Sequence, residues 1–183
     1  GDFHEALNVA SVWGLPVLFV VENNQWGLST PSREQFNFDS FLVKGPAYGM
    51  EAHSIDGNNI LDVYRKAKEL TESMRETPRP VLLECRTFRV RGHEEASGTK
   101  YYPEGLIDAW SERDPVDAFG AFLEKKKWLS AKERETWKQE EKEAIQQALE
   151  DALREPEPIW NEEAERADLF APSPSAQAPE PSA

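Results

Sequence analysis

The order of apolar and polar positions along the chain predicts a series of helices and strands. Apolar residues recur at the three-and-four spacing of a helix face over residues 3–13 and again over residues 60–74. Two apolar runs have no such spacing: LPVLFVVE at 15–22 and VLLECRTF at 81–88. Uninterrupted runs of this kind are typical of parallel strands that are covered on both faces. We therefore expect two buried strands, each preceded by a helix.

Shorter or more polar segments complete the predicted fold. They are a polar loop at 23–36, a short helix at 37–49 that ends at Gly49, a short strand at 50–55, a polar loop at 89–106, a helix from Asp114-Pro115 to about Glu124 and a charged amphipathic helix at 130–153. This order predicts an α/β fold, a mainly parallel sheet with crossover helices followed by C-terminal helices. In the last helix we expect Trp137, Ile145, Leu149 and Leu153 to face inward.

The composition changes near the end of the chain. We assign residues 1–165 to one folded domain and residues 166–183, which end in APSPSAQAPEPSA, to a Pro/Ala/Ser-rich segment with little to bury. This segment is expected to be a disordered linker or a frayed terminus. The chain does not begin with methionine, and its helical pattern starts at once, so we expect a piece of a longer protein.

Composition narrows the classes of function. The 34 acidic and 21 basic residues give a net charge of −13, which argues against a nucleic acid partner. No apolar run approaches the roughly 18–20 residues that span a bilayer and no signal-peptide pattern opens the chain, so we expect no membrane association and a cytoplasmic location. The single cysteine, Cys85, is expected to be a buried, inert thiol. His53 is expected to be structural, and His4 to lie on a helix surface or an interface.

Two polar loops carry the candidate chemistry, and each follows an apolar strand. Asn23 and Asn24 follow the first strand, and RVRGHEEASG at 89–98 follows the second. Loops that follow parallel strands lie at one edge of the sheet, where ligands bind. Amide and carbonyl oxygens suit Mg²⁺, while Arg89 and His93 suit a diphosphate. The alternatives are simple turn chemistry for the asparagines and an exposed histidine without a role.

Taken in order, these segments resemble a known enzyme family over roughly residues 1–155. The matching stretches are GDFHEALNVASVWGLPVLFVVENNQWGLS, AYGMEAHSIDGNNILDVY, RPVLLECRTFRVRGHEEAS and the helix that begins with Asp-Pro-Val. They resemble the alpha subunit of the thiamine-diphosphate-dependent 2-oxoacid dehydrogenases, the decarboxylating first (E1) components of the pyruvate, branched-chain 2-oxoacid and acetoin dehydrogenase multienzyme complexes. The resemblance implies an oxidoreductase and the C-terminal part of a thiamine-diphosphate-binding domain.

The resemblance also implies roles for individual residues. Asn24 would bind Mg²⁺ through its side chain, and Trp26 through its backbone carbonyl. His93 would contact the diphosphate near the reacting centre as a catalytic residue, and Arg89 matches a family arginine of the same loop. The family's Gly-Asp-Gly triplet, which supplies the aspartate ligand, would lie upstream, so this chain alone is expected to bind metal and cofactor poorly. Glu94 occupies the position of a serine that is phosphorylated in mitochondrial members.

The family works with several partners, which the resemblance implies here as well. They are a beta subunit or fused beta domain, which supplies the glutamate that activates the cofactor, a lipoyl-bearing acyltransferase, and a 2-oxo acid substrate. We expect branched-chain 2-oxo acids ahead of pyruvate. The His93 loop is similar to that of bacterial members in which alpha and beta halves are fused, with the Pro/Ala/Ser segment as the connection. The alternatives are an acetoin-cleaving or transketolase-like enzyme, or a non-catalytic assembly domain that retains the fold.

Overall fold

The computed structural model describes residues 1–94 and 96–171, and these residues divide into two compact units, one up to residue 131 and one from residue 132 onward. The elements of the first unit are, in chain order, α1 (Asp2–Trp13), β1 (Leu18–Asn23), β2 (Trp26–Gly27), β3 (Thr30–Pro31), α2 (Lys44–Ala47), β4 (Glu51–Asp56), α3 (Ile60–Glu76), β5 (Val81–Arg86), α4 (Leu106–Ser111) and α5 (Pro115–Lys125). Short 3₁₀ turns lie at Ser32–Glu34 and Phe41–Val43. The α/β class is confirmed.

A three-stranded parallel sheet forms the centre of the first unit. The strand order is β1-β5-β4, and both outer strands run parallel to β5. Helix α3 connects β4 to β5 and makes the predicted crossover. In the register, Asn23 and Asp56 both lie beside Arg86. The three strands therefore end together, and the loops that follow them leave the same edge of the sheet.

Strand β5 is the buried centre of this sheet, and its two faces pack on different partners. On one face, Val81, Leu83 and Cys85 of β5 cluster with Leu70 and Met74 of α3. The other face contributes Leu82 to a cluster with Leu7 of α1 and Met50. Burial, together with the negative charges of Glu22 and Glu84, raises the pKa of the Cys85 thiol and keeps it neutral. The expectation of a buried thiol is confirmed.

Local signals explain where the helices begin and end. The side chain of Asn59 accepts a hydrogen bond from the backbone N–H of Leu61 and caps α3. Asp114 caps α5 in the same way, and Pro115 occupies the first turn, where its missing N–H costs nothing. Helix α1 ends at Gly14, whose φ of 62° is the left-handed conformation that favours glycine.

Strand β1 differs from its predicted environment. The expectation that it is covered on both faces is wrong in this chain, because Val20 is 53% exposed. Among the described residues β1 pairs only with β5, so it is an edge strand. The sequence also did not predict the two-residue strands β2 and β3, which form a small antiparallel ribbon within the loop at 23–36.

The second unit contains α6 (Ala131–Arg154) and α7 (Glu162–Asp168). The charged helix is confirmed, and polar pairs one turn apart, such as Gln139 with Glu143, stabilise it locally. Its apolar stripe does not face inward as expected. The side chains of this stripe are each more than half exposed: Trp137, Ile145, Leu149 and Leu153. Helix α7 extends into the segment assigned to a linker, and residues 172–183 of that segment lie outside the described residues.

Two histidines have local partners away from the loops that follow β1 and β5. The ring of His53 lies 2.5 Å from Glu51, which also receives a hydrogen bond from Arg79. Those hydrogen bonds, from Arg79 first and then His53, lower the pKa of Glu51. His4 is exposed on α1, with Nδ1 2.6 Å from the hydroxyl of Tyr48. Both histidines therefore have the surface and structural roles that we expected. In the part of the chain that the structure describes, no helix has the length and apolarity needed to cross a membrane.

Candidate functional site

The two asparagines at the end of β1 form consecutive turns. Asn23 Oδ1 accepts a hydrogen bond from the backbone N–H of Gln25 at 3.0 Å, and Asn24 Oδ1 accepts one from Trp26 N–H at 2.9 Å. Gln25 lies at φ 65° and Leu28 at φ 57°, the left-handed region that non-glycine residues rarely occupy. Such strain persists where surrounding contacts hold the backbone, and it concentrates at functional sites.

A buried carboxylate supports this turn from inside the sheet. Glu84 of β5 is fully buried, and its Oε1 accepts hydrogen bonds from Asn23 Nδ2 at 2.8 Å and from Phe41 N–H at 3.1 Å. Its Oε2 accepts one from Ser40 Oγ at 2.5 Å. Burial favours the protonated acid, but these hydrogen bonds outweigh it and lower the pKa of Glu84 below its usual range. The group is therefore ionised at neutral pH.

The loop after β5 is held against the loop after β1 by Arg89. Arg89 Nη2 donates to the backbone carbonyl of Leu28 at 2.7 Å and to the hydroxyl of Tyr101 at 3.0 Å. The Tyr102 hydroxyl donates to the carbonyl of Arg89 at 2.9 Å, and the ring of Trp26 packs edge-on against that of Tyr102 with centroids 4.9 Å apart. These contacts join the two polar loops into one surface at the carboxyl edge of the sheet.

His93 lies on this surface beside Arg89. Its ring is exposed, and Nδ1 is 3.4 Å from Arg89 Nη1. Burial favours the neutral form of the neighbouring Tyr101, yet the hydrogen bond from Arg89 lowers the pKa of that hydroxyl. Burial and the hydrogen bond with Tyr101 raise the pKa of Tyr102. A guanidinium and an imidazole side by side can together receive an anion such as a phosphate.

The donor atoms near the turn are of the chemical type that a hard cation prefers. Asn24 Oδ1 and the Trp26 carbonyl are neutral oxygens, which Mg²⁺ accepts alongside carboxylates, water and phosphate oxygens. Within residues 1–94 and 96–171, no group of three or more His, Cys, Asp or Glu side chains is arranged to hold a metal ion. The turn can therefore supply part of a magnesium shell, and a bound phosphate would have to supply further oxygens.

Space for a ligand lies next to the turn. A cleft of about 510 Å³ has Asn23, Gln25, Trp26, Phe36 and Phe38 among its lining residues. The two phenylalanine rings stack with centroids 4.3 Å apart. The carboxyl edge of the sheet is therefore open beside the strained turn.

The four residues singled out by the sequence lie on the two joined loops. Asn24 and Trp26 are on the loop after β1, and Arg89 and His93 are on the loop after β5. Sequence reasoning missed the supporting residues, which are Asn23 as a tether, Glu84, Tyr101 and Tyr102. A signal for Glu84 was present, because a carboxylate inside the apolar run VLLECRTF must find partners when it is buried.

Comparisons with known proteins agree on one family. The sequence model of the family described as dehydrogenase E1 component matches residues 1–160. The chain is 42% identical over 135 residues to 2-oxoisovalerate dehydrogenase subunit alpha 2, mitochondrial, of Arabidopsis thaliana, covering 72% of this chain and 28% of the relative. It is 31% identical over 163 residues to pyruvate dehydrogenase E1 component subunit alpha of Rickettsia bellii, covering 89% of this chain and 49% of the relative.

A third relative, 2-oxoisovalerate dehydrogenase subunit alpha, mitochondrial, of Caenorhabditis elegans, is 34% identical over 148 residues, which is 79% of this chain and 34% of the relative. The chain thus spans less than half the length of each of these curated relatives. The family match covers most of the chain and agrees with the ordered segments noted in the sequence. The chain therefore belongs to the dehydrogenase E1 component family and corresponds to part of an alpha subunit.

Proposed function

We propose that this chain forms the magnesium and diphosphate side of the thiamine diphosphate site in a 2-oxoacid dehydrogenase E1 component. The observation that carries the proposal is the joining of two polar loops at one sheet edge by the 2.7 Å hydrogen bond from Arg89 to the Leu28 carbonyl. One loop offers hard oxygen donors, and the other offers a cation and an imidazole. The names of the relatives, which are alpha subunits of 2-oxoisovalerate and pyruvate dehydrogenases, support the same assignment.

The loop after β1 would hold the metal. Asn24 Oδ1 accepts one hydrogen bond, from Trp26 N–H, and an amide oxygen has a second lone pair for Mg²⁺. The Trp26 carbonyl would be the second ligand from this chain. The remaining oxygens would come from the diphosphate and from a carboxylate of the longer protein. With neutral donors alone the loop attracts a divalent cation weakly, so metal and diphosphate are expected to bind together.

The loop after β5 would hold the diphosphate and act near the reacting centre. Arg89 is fixed by Leu28 and Tyr101, so its guanidinium is oriented before the ligand arrives. His93 is exposed beside it, and its imidazole can donate a hydrogen bond to a phosphate oxygen or transfer a proton. Thiamine diphosphate, when bound, supplies the electron sink for decarboxylation of the 2-oxo acid.

Further parts of the proposal concern the partners. A beta subunit or a fused beta domain would complete the cofactor site, and a lipoyl-bearing acyltransferase would receive the acyl group beside the exposed His93 loop. Branched-chain 2-oxo acids are proposed as the substrates ahead of pyruvate, and two of the relatives named above carry 2-oxoisovalerate in their names. Glu94 offers no hydroxyl for phosphorylation at its position. The cytoplasmic location and the linker role of the terminal segment stay predictions.

The metal assignment is tested with Asn24→Ala in the full-length protein assembled with its beta partner. Thiamine diphosphate is titrated by calorimetry at several Mg²⁺ concentrations, and we expect an affinity loss of about tenfold, or roughly 1.4 kcal/mol, with little change in melting temperature. Asn161→Ala is the matched control, because it removes an amide that caps α7 in the second unit. Wild-type affinity in Asn24→Ala would reject the metal role.

The role of His93 is tested in the acyl-transfer step. His93→Ala in the complete enzyme is expected to slow reductive acylation of a lipoyl domain by about 10²-fold, the lower range for loss of a proton-transferring group. Its melting temperature should stay close to that of the wild type, because the ring is exposed. His53→Ala serves as the control, because His53 contacts Glu51 and its substitution leaves the His93 loop intact. An unchanged acylation rate in His93→Ala would contradict the assignment.

A non-catalytic assembly domain is the second candidate. Such a domain would need no metal ligands, and the described residues hold no acidic cluster for a metal ion. An acetoin-cleaving or transketolase-like enzyme would share the cofactor but would not acylate a lipoyl domain. The two experiments separate these alternatives, because an assembly domain shows no Mg²⁺-dependent cofactor binding in the wild-type protein, and a lipoyl-independent enzyme shows binding without lipoyl acylation.

A further inference from the structure

Glu84 is an unusual residue for the centre of a parallel sheet. It lies in β5, between Leu83 and Cys85, and its side chain is fully buried. A buried carboxylate is costly unless hydrogen bonds compensate for the lost water. Its hydrogen-bond partners are neutral donors on two separate segments: Asn23 at the end of β1, and Ser40 and Phe41 at the start of the second 3₁₀ turn. The carboxylate therefore ties together the segments around the polar edge.

The bond to Asn23 has a directional consequence. An ionised carboxylate only accepts hydrogen bonds, so the NH₂ group of the Asn23 amide must face Glu84. The amide oxygen then faces the opposite way, where it accepts the Gln25 N–H at 3.0 Å. A flipped amide would lose both hydrogen bonds. Glu84 thus determines which end of the Asn23 side chain meets the turn.

The Gln25 N–H belongs to the residue whose backbone is strained. Gln25 lies at φ 65°, between Asn24 and Trp26, and its carbonyl accepts a hydrogen bond from Ser32 N–H at 2.8 Å. A glutamine adopts this conformation only when neighbouring contacts hold it. The tether from Asn23 is one such contact, and it acts directly on the peptide that joins Asn24 to Gln25.

We propose that Glu84 and Asn23 are positioning residues for the metal-binding turn. Glu84 orients the Asn23 amide, Asn23 holds the left-handed backbone of Gln25, and this backbone sets the relative positions of Asn24 Oδ1 and the Trp26 carbonyl. The inference rests on the proposed function, in which those two oxygens bind Mg²⁺. Asn23 and Glu84 act through the turn, not by contact with the ion.

A purely structural role is separated from positioning by a matched pair of variants. Asn23→Ala removes the Glu84 hydrogen bond and the tether to Gln25 together. Ser40→Ala removes another hydrogen bond to the same carboxylate, the one to Oε2, and leaves the tether in place. Both variants are expected to lower the melting temperature of the apoprotein. Only Asn23→Ala is expected to change the affinity for the metal.

The experiment uses the full-length protein assembled with its beta partner. Mg²⁺ is titrated calorimetrically at a fixed, saturating concentration of thiamine diphosphate, and the melting temperature is measured without either ligand. We expect Asn23→Ala to need at least tenfold more Mg²⁺ than the wild type and Ser40→Ala to stay within twofold. The proposal would be overturned if Asn23→Ala bound Mg²⁺ with wild-type affinity, or if the two variants lost equal amounts of Mg²⁺ affinity.

A double-mutant cycle tests whether Glu84 acts through Asn23. Glu84→Gln weakens the acceptor and permits a flipped amide, so we expect it to lower the Mg²⁺ affinity about threefold, with no further loss when it is added to Asn23→Ala. Additive losses of Mg²⁺ affinity would show that Glu84 does not act through Asn23 and would overturn this part of the proposal. If Asn23→Ala does not fold, Glu84→Gln is compared with Ser40→Ala by the same criterion. A wild-type protein that shows no Mg²⁺-dependent binding of thiamine diphosphate would refute the proposed function itself. That outcome is distinct from a failure of the positioning role of Glu84 and Asn23.

Discussion

Strands β1 and β5 are neighbours in the sheet, yet their environments differ sharply. Val20 of β1 lies beside Leu83 of β5 in the register, and the two side chains are 53% and 1% exposed. The sequences of the two strands are similarly apolar. Strand β5 has a strand on each side and packs on α3 and α1, whereas β1 has a neighbouring strand on one side among the described residues. An apolar run therefore indicates that a strand can be buried, and its neighbours determine whether it is.

The two strands also contribute differently to the polar edge. Strand β1 ends in a strained turn that offers oxygen donors, and β5 ends in the loop that carries Arg89 and His93. The buried strand additionally supplies Glu84, which supports the turn of its neighbour. The rigid centre of the sheet thus fixes groups that an edge strand alone would hold loosely.

The largest expected effect is a loss of stability from the buried strand. Leu83→Ala removes a side chain packed against Leu70 and Met74 and should lower the free energy of unfolding by about 2–5 kcal/mol. Urea unfolding followed by circular dichroism measures this loss, and an unchanged slope with denaturant shows that the unfolded states are comparable. A loss below about 1 kcal/mol would mean that β5 is not the packed centre of the sheet.

A smaller, pH-dependent effect is expected at Glu84. Because its pKa is lowered in the folded protein, the ionised group stabilises the fold above the ordinary pKa of a glutamate, and this contribution is lost as the pH falls through the folded value. Glu84→Gln should therefore be less stable than the wild type by about 1–3 kcal/mol at pH 7, and the gap should narrow as the pH falls below the ordinary pKa of a glutamate, about 4.3. Urea unfolding of both proteins at pH 7, 5 and 3.5 checks this. A gap that stays constant with pH would contradict an ionised Glu84.

The contrast between the strands also shows how far the sequence predicts this molecule. Capping signals at Asn59 and Asp114 and the apolar stripe of α3 act within a few residues, so the helices were predictable. The succession of helices and strands along the chain predicted that the strands run parallel. The parallel order in turn predicted that Asn24 and His93 lie on loops at one edge. The metal and cofactor roles of Asn24, Trp26, Arg89 and His93 stay predictions.

Features that depend on distant residues were not predictable in the same way. The hydrogen bond from Asn23 to Glu84 joins residues 61 positions apart, and no local pattern selects that pair. The strands β2 and β3 are two residues long, which is too short for any periodicity. The exposure of Val20, and that of the apolar stripe on α6, depends on which surfaces are available to cover them.

The smallest expected effect is at Val20, and it tests the comparison most directly. Val20→Thr keeps the β-branched shape and replaces one methyl group by a hydroxyl, so strand propensity changes little. At an exposed position we expect the free energy of unfolding to change by no more than about 0.5 kcal/mol in urea. A covered position would bury the hydroxyl without a partner and lose about 1–3 kcal/mol. A loss of that size in the full-length protein, with the small effect retained in this chain, would show that another segment covers β1 there. The two strands would then differ in which part of the protein supplies their cover, and β1 would be as buried as its sequence predicts.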